Sequence, residues 1–366
     1  MSTRDLLKAL KNRMAVLTGG SADLLDHQQT LKDLVAWSYD LLDEREQVLW
    51  RRLAVFEGGA PLPAVGPVCD PDEAYFFPLD LDSLVNKSLL SLSFDGSGLE
   101  DEENDLPLSQ RVNMLQTLRD YAQLQLKQSG EMAELNERHA RWFGSYSGKA
   151  APNLRGADAS GWFTRLDADQ ANFRNAMNWG MKNEPGLAAA TAGTLWFHWY
   201  QRGQFSEGRE WLEKIIATDA SDAEKARCLL GLANLERIQN NAGQARGHCE
   251  AALEAFEAAG DEEGIADALS QLGTILQYLG ESEAAESYLN SAVEKLRALG
   301  SRGRLSFSLV VLGALKQMRG ELDAALDDYQ EGLALGRELA DANYIATGLV
   351  NVGEVLAIKG ELAEAA

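Results

Sequence analysis

LGTILQYLGESEAAESYLNSAVEKL, residues 272–296, decides the fold because it recurs. LGALKQMRGELDAALDDYQEGLALG follows at 312–336, and VGEVLAIKGELAEAA at 352–366. Gly280, Gly320 and Gly360 are forty residues apart, as are Gly273, Gly313 and Gly353. Ala285, Ala325 and Ala365 keep the same step, with Ala245 one unit earlier. A fixed period in this range marks a solenoid. In each copy a small residue (Gly273) stands seven positions before a turn glycine (Gly280), and an alanine (Ala285) five after it. Small residues at those points let two antiparallel helices approach closely, while Leu272, Leu276, Leu289 and Val293 fill the seam.

The order Leu272-Gly273, Gly280, Ala285, Leu289, Ala292 resembles the tetratricopeptide repeat, although the period of forty exceeds the roughly 34 residues usual there and no closing proline occurs. A degenerate unit begins near Ala223, with Ala233, Asn240, Ala245 and Ala252 in matching places; another centres on Gly203. The array is expected over 186–366, its last repeat incomplete. The helix over 341–359 should then leave Leu349, Val352, Val355 and Leu356 partly uncovered, because its partner begins only at about Glu361.

Upstream the pattern changes. All eight prolines lie at or before Pro185 and all eight tryptophans at or before Trp211. HQQTLKDLVAWSYDLLDEREQVLWRRLAVFEGG (27–59) reads as two helices, with apolar faces through Leu31, Leu34 and Val35, then Val48, Leu49, Leu53 and Phe56. Asp43, with Glu46 three residues on, predicts a helix start. LDLDSLVNKSLLSLSF (79–94) is a helix entering a strand, DGSGLEDEENDLP (95–107) an acidic turn, and LSQRVNML (108–115) a returning strand before another helix. The fold class is therefore mainly α: a winged-helix-like module at 31–125, connecting helices at 126–185, and a tetratricopeptide-type α-solenoid.

Several blocks resemble the C-terminal half of bacterial STAND-class signalling ATPases and related multidomain transcriptional regulators. They are LTGG (17–20), residues 28–59, LVNKSLL (84–90), MLQTLRDYA (114–122), ERHARWF (137–143) and DADQANFRNAMNW (167–179). The resemblance implies a P-loop ATPase domain upstream, with residues 1–30 as its linker. It also implies a winged helix that couples nucleotide state to a repeat array sensing an inducer or partner. The Met-His-Asp motif of distant relatives aligns with Met114, Leu115 and Gln116, so no nucleotide contact is assigned there.

Chemistry is sparse. Gly144-Ser145-Tyr146-Ser147-Gly148-Lys149-Ala150 is one residue short of a phosphate-binding loop and lacks its metal-binding hydroxyl; Tyr146 also fills the serine place of a nucleophile elbow. The stretch reads as a connecting loop. His27, His139, His198 and His248 are dispersed, and the acids fall on helix faces that read as solvated. No enzyme, cofactor or metal is expected. Cys69, Cys228 and Cys249 are too few for a disulfide framework, and no run approaches the roughly 20 apolar residues of a membrane span. A cytoplasmic protein is the expectation.

A net charge of −22 disfavours nucleic acid and anionic membranes as partners. Locally, residues 61–125 hold Lys87, Arg111 and Arg119 against twelve acids, a balance of −9. The rival readings are a DNA-binding regulator acting through the winged helix and an accessory subunit of an enzyme. The favoured recognition surface is the inner face of the array, for a protein or peptide partner or a small polar inducer. Its expected exposed positions are Asn234, Arg237, Thr274, Gln277, Tyr278, Phe307 and Gln317, with Met318 and Glu354 beside them. Arg237 with Asn234 leads, as a charge-assisted donor beside an amide.

Overall fold

The computed structural model describes residues 33–71, 77–95 and 109–361. They divide into two compact units. One contains the chain up to Phe143 together with Asp167–Ala176; the other contains Gly144–Leu166 and everything from Met177. The linker expected at 1–30, LTGG, Leu31, most of the acidic turn and residues 362–366 lie outside the described residues.

In the first unit residues 33–40 are helical, with Val35 buried and Leu34 53% exposed, so Leu34 does not join the apolar face assigned to it. Helix α1 (Glu44–Leu53) starts as the sequence predicts: Asp43 accepts from the Glu46 amide at 3.0 Å and Glu46 accepts from the Asp43 amide at 2.9 Å. Next come β1 (Ala60–Pro61) and α2 (Leu62–Cys69), which the pattern had not marked. Pro63 is tolerated in its first turn, and burial of Val65, Val68 and Cys69 holds this short apolar helix despite Pro67. Then follow α3 (Phe77–Asn86), β2 (Ser91–Phe94), β3 (Gln110–Asn113) and α4 (Gln116–Ser129). The sheet is antiparallel in the order β1-β3-β2, with Val112 facing both Ala60 and Leu92. Trp50, Phe56, Leu84 and Leu126 are nearly inaccessible at its core.

Charges here do not follow the solvated pattern expected. Glu46, Asp169 and, in the second unit, Glu236 are buried. Lys87 binds Glu46; Arg111 binds both oxygens of Asp169 at 2.8 and 3.0 Å; Arg119 reaches the Phe56 carbonyl at 2.6 Å and Glu57 at 3.3 Å. A buried acid is retained because a base neutralises it.

The connecting region consists of α5 (Met132–Ala150), a 3₁₀ turn at Ala151–Asn153, α6 (Ala159–Ala168) and α7 (Gln170–Asn183). Gly144–Ala150 is therefore helical, not a loop: Tyr146 is buried and the Ser147 hydroxyl donates to the Gly144 carbonyl at 2.7 Å.

The solenoid occupies the second unit: α8 (Pro185–Gln201), α9 (Phe205–Ile216), α10 (Asp222–Ile238), α11 (Ala242–Ala259), α12 (Glu262–Tyr278), α13 (Ser282–Ala298), α14 (Arg302–Met318), α15 (Leu322–Glu338) and α16 (Ala342–Lys359). The first helices α10, α12, α14 and α16 start forty residues apart. Small residues act as anticipated. A Cβ on Gly273 would stand 2.6 Å from Leu289 Cγ and 3.1 Å from the Ala285 carbonyl; at Gly313 the obstacles are Tyr329 and the Ala325 carbonyl. Gly280, Gly320 and Gly360 have φ near +80°, and Asn240 takes the equivalent place at φ 68°, which asparagine tolerates. Leu272, Leu276, Leu289 and Val293 are all buried. On α16, Val355 and Leu356 are buried and Val352 packs against the cluster of Ala325, Tyr329 and Val355, whereas Leu349 is 50% exposed.

Candidate ligand cavity on the inner face of the array

Successive first helices align, and their inward residues enclose a cavity of about 420 Å³ that lies entirely within the second unit. Helix α8 contributes Trp196, Phe197 and Tyr200; α10 contributes Asn234 and Arg237; α12 contributes Asp267, Ser270 and Gln271. Helices α14 and α16 add Arg304, Phe307 and Val310, then Tyr344 and Thr347. Asp267, Phe307 and Thr347 hold one position in three successive repeats, so the period of forty sets this wall.

The remaining wall does not come from a repeat. Residues 154–157, between the 3₁₀ turn and α6, and Ala159, Ser160 and Phe163 at the start of α6 lie against the same cavity. Arg155 stacks on Phe197 with its guanidinium carbon 4.1 Å from the ring centroid. The Gly156 amide donates to Asp341 Oδ2 at 2.8 Å. The other oxygen of Asp341 caps α16, accepting from the amides of Asn343 at 2.9 Å and Tyr344 at 3.2 Å. This segment therefore reaches from the first helix of the array to the last described one.

The arginines of the lining differ in their surroundings. Arg304 lies 3.0 Å from Asp267 and 2.8 Å from Glu263; burial alone would lower it, but these carboxylates hold it above its usual value. Arg237 is half-buried, and its Nε, though inaccessible, has no hydrogen-bond partner among the described residues. Burial lowers its pKa, opposed only by the tyrosine hydroxyls of Tyr200 and Tyr278. The Oε1 of Gln271 is likewise buried and unpartnered among the described residues.

Of the positions expected from sequence, Asn234, Arg237 and Phe307 line the cavity. Asn234 is not exposed: it is 3% accessible and its amide donates to the Leu230 carbonyl at 2.9 Å. The rest are placed elsewhere. The Thr274 hydroxyl returns to the Ser270 carbonyl at 2.9 Å, Gln277 Nε2 lies 3.6 Å from Met318 Sδ, and Tyr278 bonds Asn240. Gln317 accepts from the Tyr329 hydroxyl at 2.8 Å, while Met318 and Glu354 are exposed. Residues 274–278 lie beyond Gln271 along α12, up to about 10 Å further at 1.5 Å per residue. Lining residues that the spacing did not indicate include Gln271, Trp196, Tyr200, Tyr344 and the 154–163 segment. The repeat register could have indicated Tyr344, forty residues after Arg304; nothing local marks 154–163.

The remaining candidates are engaged or buried. His248 Nδ1 is bonded to Glu236 at 2.8 Å. Cys69, Cys228 and Cys249 are buried, and burial pushes each thiol up to about 12. Among the described residues no group of three His, Cys, Asp or Glu could hold a metal, and no helix is long and apolar enough to cross a membrane.

These features define a tetratricopeptide-type helical array with a helix-and-sheet unit in the same chain. Residues 224–298 match the tetratricopeptide repeat family model. The fold resembles that of a Signal Transduction ATPase with Numerous Domains (STAND) protein with a tetratricopeptide repeat sensor from Pyrococcus horikoshii: TM-score 0.55, 15% identity, 89% of this chain and 49% of that one. A Mycobacterium tuberculosis protein provisionally named an HTH-type transcriptional regulator is 32% identical over 246 residues, 64% of this chain. An uncharacterized protein of the same organism is 31% identical over 134 residues, 36% of this chain and 31% of its own length. The chain spans 26% of the regulator it matches.

Proposed function

We propose that this chain is a non-catalytic regulatory segment whose repeat array binds an inducer or partner on its inner face. The cavity carries this reading: a rigid stack of helices gathers aromatic walls around a few inward polar groups, the usual composition of a recognition site. The order helix, strand, two helices and two strands, with β1 beside β3, supports a winged-helix-like module in the first unit. Likeness to the sensor-bearing STAND fold suggests that this module relays the array's state to an ATPase domain of a longer, cytoplasmic protein. Direct DNA contact is disfavoured because Lys87, Arg111 and Arg119 are all engaged by acids or carbonyls.

Thermal-shift screening of small metabolites and short peptides tests the reading. Hits are expected to lose their effect in Gln271→Ala or Phe307→Ala variants. Hits that survive every substitution in the cavity would place recognition elsewhere. Saturable Mg-ATP binding or hydrolysis by this chain would defeat the non-catalytic assignment.

A further inference from the structure

Four features of the cavity bear on what it would take. Its lining holds Arg155, Arg237 and Arg304 against Asp267 and Asp341, an excess of positive charge in a chain of net charge −22. Arg304 is taken up by Asp267 and Glu263, and Arg155 is stacked on Phe197. Of the three, only Arg237 has a buried Nε with no bond among the described residues, and it forms no ion pair with them. A desolvated guanidinium is costly unless an anion meets it, so an unmet one at a cavity wall points to an anion brought by a ligand. Gln271 Oε1, also buried and unmet, calls for a hydrogen-bond donor on the same ligand.

The rest of the wall is aromatic. Trp196, Tyr200, Phe307 and Tyr344 offer flat apolar surfaces, suited to a planar or aromatic body. Size is bounded by the 154–163 segment, which meets Phe197 at one side of the groove and Asp341 at the other. A volume of about 420 Å³ fits a small molecule; a long extended peptide would have to displace this segment.

Resting on the reading of the inner face as the recognition site, we propose that the cavity binds a small organic carboxylate with an aromatic body. The carboxylate meets Arg237, a donor beside it meets Gln271, and the ring lies among the aromatic walls.

N-acetyl-L-phenylalanine carries all three elements, and its primary amide keeps the size and shape while replacing the carboxylate by a neutral group. Calorimetry on the full chain is expected to give saturable binding of the acid at millimolar concentration or below. The amide, and the acid on Arg237→Gln, should bind about tenfold or more weakly, the loss of one charge-assisted pair. The acid–amide comparison uses the unaltered protein, so it stands even if the variant folds poorly. Equal affinity for acid and amide, or undiminished binding by a folded Arg237→Gln, overturns the proposal. So does failure of N-acetyl-L-phenylalanine, benzoate and 3-phenylpropionate alike to saturate in that range. If neutral ligands or a peptide bind instead and depend on Phe307 and Gln271, the carboxylate assignment fails while the inner-face reading survives.

Discussion

The amide of Gly156 donates to the side chain of Asp341 at 2.8 Å, across 185 residues of sequence. Asp341 is 6% exposed and divides its two oxygens between this bond and the cap of α16. One carboxylate thus fixes both the segment that walls the cavity and the start of the last described first helix.

Asp341→Ala should therefore loosen two distant stretches together. Losing a cap costs about 1 kcal/mol, and the Gly156 tether goes with it. Hydrogen exchange is expected to quicken at 154–160 and at 342–348. Faster exchange confined to α16 would show that the tether does not hold the segment.

Arg237→Met should leave thermal stability unchanged or slightly raised, because it replaces a half-buried guanidinium with an unmet Nε by an apolar chain of similar length. A loss above about 1.5 kcal/mol in denaturant melts would mean that Arg237 supports the fold instead of serving a ligand.

Two glycine substitutions separate packing from helix propensity. Gly273→Ala sets a Cβ against Leu289 and the Ala285 carbonyl, so it should destabilise by about 1–3 kcal/mol despite alanine's preference for helix. Gly247 sits inside α11 with no described residue within 4 Å of its Cβ position, and Gly247→Ala should stabilise by about 0.5–1 kcal/mol. Urea midpoints moving the same way would contradict the close helix approach.

Acid should unfold the first unit in two stages. His139 packs against Phe56 and Phe143, and burial pushes it from 6.5 down to about 4. Between those pH values the unfolded chain takes the proton first, so stability falls with pH, by at most roughly 3 kcal/mol. Burial would raise Glu131, but hydrogen bonds from Arg51, Arg52 and Ser129 outweigh it and hold it at about 2. Its contribution, present above 4.5, fades as pH falls from 4.5 towards 2. Urea melts of His139→Phe should lose the upper stage and keep the lower. An unchanged upper stage would clear His139.

Duplex DNA should not shift in a gel with this chain at about 50 mM salt, where phosphate contacts are strongest. A salt-dependent shift at submicromolar protein would mean that other bases than Lys87, Arg111 and Arg119 form a patch.

Repetition made the solenoid legible in the sequence. Gly273, Gly280, Ala285 and Leu289 are each required by a local approach of two helices, and the same requirement returns every forty residues. The capping box at Asp43 and Glu46 is legible for a similar reason, since both partners lie within one turn. The cavity was legible only in part. Asn234, Arg237 and Phe307 follow from inward helical spacing, but Thr274, Gln277, Tyr278 and Gln317 obey the same spacing and fall elsewhere. Angular position around a helix can be counted from sequence; the depth at which the groove closes along it cannot. That depth is set by residues 154–163, which owe their place to Arg155 on Phe197 and Gly156 on Asp341. The same holds for charge. Composition gives −22, yet only tertiary structure decides that Arg304 is neutralised by Asp267 and Glu263 while Arg237 is left to meet something else, because ion pairing depends on distances between helices far apart in sequence.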